Sequence, residues 1–173
     1  EVTEDRAVYE YAVLVTALTL AVVASSARAA EVRPDHPRML VNAESLPGLQ
    51  LRCRGADKAM FDAFLARLDE GMRKTPEGDW HFASYPDALG FAYVITGKRK
   101  YVEPGVGWLR AMLTYHLGKV KNGRVGTGEG GASNWETTML RRHNYVAYDW
   151  LYNGMTRAER QELGELILSI SDI

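Results

Sequence analysis

The sequence predicts an all-α protein built of antiparallel helical hairpins, and three observations predict it. Apolar residues recur at the i, i+3, i+4, i+7 spacing of a buried helix face through most of the chain beyond residue 57. Glycine, proline and capping residues punctuate that pattern at mostly short intervals, and short links between helices imply antiparallel neighbours. No segment shows the alternation of a strand. Five helices are expected, the last still running near Ile173, which is the pattern of part of a bundle or toroid.

The chain begins with a segment set apart from this pattern. Ala12 to Ala24 carries no charge and is too short to span a bilayer, which takes about 20 apolar residues. It has the length of a signal-peptide apolar region, and Ala27-Arg28-Ala29 follows as an A-x-A cleavage site. Residues 1–29 are therefore expected to be removed, leaving 30–173 as a secreted or periplasmic protein with no membrane association. The flank before the apolar run is acidic (Glu1, Glu4, Asp5 and Glu10 against Arg6), which leaves an ordinary apolar helix as the alternative.

Val32 to Leu51 reads as an extended segment, with Pro34, Pro37 and Pro47 interrupting any helix. The first helix is expected from Asp57 to Met72, burying Phe61, Phe64, Leu65, Leu68 and Met72. A second opens at Pro86, with Asp87 beside it to complement the helix dipole, and ends at Gly97. It is apolar nearly all round, as a helix packed on several sides should be. The third runs from Lys100 to Leu117 past Trp108, Leu109, Met112, Leu113 and His116, with a late start or a kink expected at Pro104-Gly105. The fourth has a capping box, Ser133 to Glu136, then a stripe of Met139, His143, Val146, Ala147 and Trp150. The fifth repeats the device at Thr156 and Glu159, before Leu163, Leu166, Ile167 and Ile170. Without a further partner helix, Leu163, Leu166 and Ile167 are expected to be exposed.

Composition narrows the functional classes. A formal net charge of −1 gives no basis for binding nucleic acid or an anionic membrane. The single cysteine, Cys53, excludes an internal disulfide and reads as a small buried thiol near a helix start. The four histidines are scattered and no H-E-x-x-H occurs, so no metal and no cofactor are expected. Gly126 to Gly131 satisfies G-x-G-x-x-G, but the polar residues from Lys119 to Val125 cannot form the buried strand that a dinucleotide fold requires. A loop at a cleft rim or a plain connection are the readings that remain.

The cluster best suited to a ligand lies on the fourth helix: Trp135, Arg142, His143, Asn144 and Tyr148. Arg pairs carboxylates bidentately, His relays protons near neutral pH, and Trp and Tyr offer flat faces for a sugar ring. Together these suit an acidic polysaccharide. Adjacent helix positions diverge by about 100°, so of Arg141 and Arg142 only one can face a given cleft, and Arg142 is the one beside the buried stripe. His143 shares its stripe with Met139 and Val146, which equally suits a hydrogen-bonded core histidine. Trp108 and Trp150 read as core. Glu129, Glu136 and Asp149 are candidates for paired carboxylates in glycoside hydrolysis.

Three segments add a resemblance. His36-Pro37-Arg38-Met39-Leu40 with Asn42 to Leu49, then Ala92 to Tyr101, then Ala147 to Thr156 with Glu159 and Arg160, are similar in order to signatures of the heparinase II/III-like polysaccharide lyases. The resemblance covers about Pro34 to Leu168. It implies an incomplete (α/α) toroid, and β-elimination on uronate-containing polysaccharide: a base removes the proton α to the carboxyl, a neutraliser holds the carboxylate, and an acid protonates the leaving oxygen. The family's catalytic Asn or His and Tyr follow the third signature, so the resemblance implies catalytic residues beyond Ile173 and assigns none here. A glycoside hydrolase on a similar toroid and a non-catalytic glycan-binding module are the alternatives.

Overall fold

A computed structural model of the protein describes residues 34–122 and 132–171, without the side chains of Trp80 and of 132–137. The expected signal segment and the glycine-rich loop lie outside the described residues, as do the candidate carboxylates Glu129 and Glu136. All regular structure described is helical, with no strand among the described residues.

The first helix, α1 (Leu46–Arg54), lies where an extended segment was expected. Pro47 does not prevent it, because it falls in the first turn, where the backbone N–H has no helical partner to lose. Ahead of α1, the Asn42 side-chain oxygen accepts the N–H groups of Glu44 and Ser45 at 3.0 and 2.9 Å. Cys53 is buried as expected, but near the end of α1 instead of a helix start.

Helix α2 (Lys58–Gly71) buries Phe61 and Leu68 on the predicted face. Helix α3 (Tyr85–Thr96) opens one residue ahead of Pro86 and stops at Gly97, whose φ of +67° is the left-handed cap that glycine adopts without strain. A 3-10 turn (Arg99–Tyr101) leads into α4 (Val102–Lys121). Pro104 neither delays nor ends α4, since it too sits within the first turn. Helix α5 (Ala132–Leu151) already includes Ala132, so Ser133 is inside it and not at the cap; the capping side chains lie outside the described residues. Helix α6 (Arg157–Ser171) has the expected reciprocal box: the Thr156 N–H and hydroxyl donate to Glu159 at 2.7 and 2.8 Å, and the Glu159 N–H donates back at 3.2 Å.

Contacts fix the directions. Asp87 meets His143 and Phe91 meets Trp150, so α3 and α5 run the same way. Gly105 lies against Leu151, while Met112 clusters with Ala83 and Leu140, so α4 runs against both. Tyr145 reaches Ser171 and Tyr148 reaches Arg160, so α6 runs against α5. From α3 to α6, consecutive helices thus alternate in direction. Close approach needs small residues: a Cβ on Gly90 would stand 3.0 Å from Trp150 Cβ, and one on Gly154 only 2.6 Å from Val102.

The described residues from Asp35 onward form one compact unit. Its main core joins Val106, Leu109 and Leu113 of α4 to Ala147 and Leu151 of α5 and to Leu163 and Ile170 of α6. The expectation that Leu163, Leu166 and Ile167 stand exposed is corrected here. Leu163 is fully buried, and Leu166 and Ile167 are half-buried against the core, because α4 covers that face of α6. Leu168 is the exposed one. No described helix is long and apolar enough to cross a membrane.

Candidate functional site

Helix α5 carries every residue of the predicted cluster, and its geometry disperses them. At about 100° per residue, His143 faces one way, while Asn144 and Tyr148, one turn apart, lie on a neighbouring face. His143 turns to α3, where its Nδ1 lies 2.6 Å from Asp87 Oδ2. An ionised carboxylate only accepts, so Nδ1 carries the proton and donates. The pair is largely buried, with side chains 11% and 19% exposed. Tyr148 turns to α6 and donates its hydroxyl to the Arg160 carbonyl at 2.9 Å; burial raises its pKa above the ordinary phenol value. Asn144 is fully buried, and neither atom of its amide has a hydrogen-bond partner among the described residues. Arg142 is exposed. The side chain of Trp135 lies outside the described residues. Arg142, His143, Asn144 and Tyr148 therefore do not share one substrate-facing surface.

The densest polar arrangement sits at the other end of α5, around Asp149. Its carboxylate is 3% exposed. Oδ1 accepts from His36 Nδ1 at 2.5 Å, and Oδ2 accepts the backbone N–H groups of Arg38 and Met39 at 2.7 and 2.8 Å. Trp150 donates its indole N–H to the Met39 carbonyl at 2.9 Å, and Asn153 donates to the His36 carbonyl at 2.6 Å. The His36 ring stacks on Tyr152 at 3.8 Å. The strap His36–Met39 is thereby clasped to α5. The clasp also holds Leu40 at φ +62°, a left-handed conformation that costs a non-glycine residue about 1–2 kcal/mol.

Residues 92–101 join the same place. Arg99 donates to the Gly154 carbonyl at 3.3 Å, and Tyr93 packs against Gly154. The strap, residues 92–101 and the segment from Ala147 onward, up to 117 residues apart, thus converge on the end of α5.

Chemically, the clasp is saturated. Asp149 has three close donors, so it is not available as one of a pair of hydrolytic carboxylates. Asp87, read from sequence as a dipole partner, instead holds the His143 ring through Nδ1. No periodic signal connects residues 56 positions apart, so sequence reasoning had no means to pair them. No group of three or more potential metal ligands occurs among the described residues. No protein-family model and no curated protein matches the chain.

Proposed function

We propose that this chain is the scaffold part of a helical-toroid polysaccharide lyase, acting on uronate-containing polysaccharide by β-elimination. One observation supports the reading above others: the three lyase-like segments, scattered in sequence, interlock around Asp149, Trp150 and Gly154. Segments that resemble a family only by chance have no reason to be mutual partners. A shared fold gives them one, since each supplies what another needs: the strap its N–H groups, α5 its carboxylate, and the turn after α3 its arginine.

On this reading the hairpins from α1 to α6 form part of the toroid wall, and abstraction of the α-proton falls to residues that follow Ile173. Asp149 is committed to the strap, which takes one of the three candidate carboxylates away from the glycoside hydrolase alternative. The test is an ultraviolet assay for unsaturated uronate ends, using the full-length gene product on uronate polymers. Unsaturated product is expected from it, and none from residues 30–173 alone. Saturated products, or elimination by 30–173 alone, contradict the proposal.

A further inference from the structure

We propose that Asn153 is a self-modification site gated by the strap: it loses ammonia to the backbone of Gly154 once His36–Met39 leaves α5, and the carboxylate so formed keeps the strap from returning.

Asn153-Gly154 occupies the turn between α5 and α6, with Asn153 exposed and Gly154 buried. Asparagine followed by glycine is the dipeptide most prone to this reaction, because no Cβ on the second residue hinders the approach of its nitrogen. The Gly154 nitrogen attacks the side-chain carbonyl carbon of Asn153 and gives up its proton. The amide C–N bond breaks and ammonia departs with that proton, leaving a five-membered imide. Water then opens the imide to aspartate, or to isoaspartate, whose backbone runs through the former side chain and is one atom longer.

Both reacting groups are engaged in the clasped protein. The Asn153 side-chain amide donates to the His36 carbonyl at 2.6 Å, which fixes it against the strap. The Gly154 N–H donates to the Leu151 carbonyl at 2.8 Å, and the Gly154 carbonyl accepts from Arg99 at 3.3 Å. A Cβ on Gly154 would stand 2.6 Å from Val102 and 3.1 Å from Tyr93, so the turn has no room to swing. The hold on the electrophile belongs to the strap alone. When the strap leaves, the Asn153 side chain rotates freely at a helix end, where a single backbone hydrogen bond opens by fraying.

The modified residue lacks the one property the clasp uses. A carboxylate has no N–H to donate, and it would meet the His36 carbonyl as a second acceptor, on the residue whose ring already serves the Asp149 carboxylate. Isoaspartate would also lengthen a turn that packs against Val102 without spare space. Release of the strap thereby becomes one-way.

The full chain is incubated at mildly alkaline pH and deamidation is followed by peptide mapping and mass spectrometry, which separates Asn153 from the other Asn-Gly pair, Asn122-Gly123. Asn153 is expected to react at least about tenfold more slowly in the native chain than in the chain unfolded in urea. Asp149→Ala should remove most of that protection while amides in the middle of α4 stay protected from exchange. Asn153→Asp, which needs no destabilised background, should speed amide exchange at Arg38 and Met39 about fivefold or more, through loss of one hydrogen bond. The proposal is overturned if native Asn153 reacts at the unfolded rate. It is overturned equally if Asp149→Ala with α4 intact leaves Asn153 as slow as in the wild type, or if Asn153→Asp leaves strap exchange unchanged. Should Asp149→Ala fail to fold, the Asn153→Asp measurement decides.

Discussion

The two halves of α5 carry similar inventories of polar residues and use them in opposite ways. At its C-terminal end and just past it, Asp149, Trp150 and Asn153 all bond to one strap, and the Asp149 carboxylate is surrounded by donors. Earlier in the helix, Arg142, His143 and Asn144 diverge to solvent, to α3 and to the interior. The difference is one of partners. The strap is backbone-rich and lies across the helix, so residues on neighbouring positions can all reach it. Asp87 is a single side chain and satisfies only the residue that faces it. A cluster in sequence becomes a cluster in space only when something broad enough lies opposite.

That contrast can be broken most severely at Asp149. Asp149→Ala leaves two strap N–H groups and the His36 ring without an acceptor, and about 3–5 kcal/mol of stability should be lost in urea denaturation. At the other end the cost is smaller. Asp87→Ala strands the His143 donor alone, for about 1–3 kcal/mol by the same measurement. Asn144→Leu should go the other way. It removes an amide with no partner among the described residues and replaces it with apolar volume, so the variant should be neutral to about 1 kcal/mol more stable. Marked destabilisation would mean that Asn144 holds an essential polar contact.

The smallest effect sharpens the comparison from outside it. Arg110 of α4 pairs with Glu162 of α6 at 2.6 and 2.9 Å, and that hydrogen bonding lowers the Glu162 pKa below its ordinary 4.5. A lowered carboxylate pKa adds stability that is present above the ordinary value and lost as pH falls through the folded one. Both groups are more than 40% exposed, so Glu162→Gln should cost under about 1 kcal/mol at pH 7. The difference from wild type should vanish in acid.

Much of the helical framework was legible because its signals are local. The buried faces of α2 and α4 follow from spacing, Gly97 from its cap, and α6 from Thr156 and Glu159. Helix α1 was not legible, because Pro47 breaks a helix interior yet suits a first turn, and only the position of the start distinguishes the two. Ser133 misled for a related reason, since the helix had already begun at Ala132. The polar groupings were less legible still. His143 was placed correctly on a buried stripe, but its partner lies on another helix. Asp149 read as a possible catalytic carboxylate because nothing local reveals that a strap more than a hundred residues earlier returns to it.

The account depends most on the strap being held by Asp149, and amide hydrogen exchange at Arg38 and Met39 reads that contact directly. Both amides should exchange slowly in the wild-type protein, and as fast as unstructured peptide in Asp149→Ala, while amides in the middle of α4 stay protected. Rapid exchange of Arg38 and Met39 in the wild type would contradict the clasp, and with it the convergence on which the functional proposal stands.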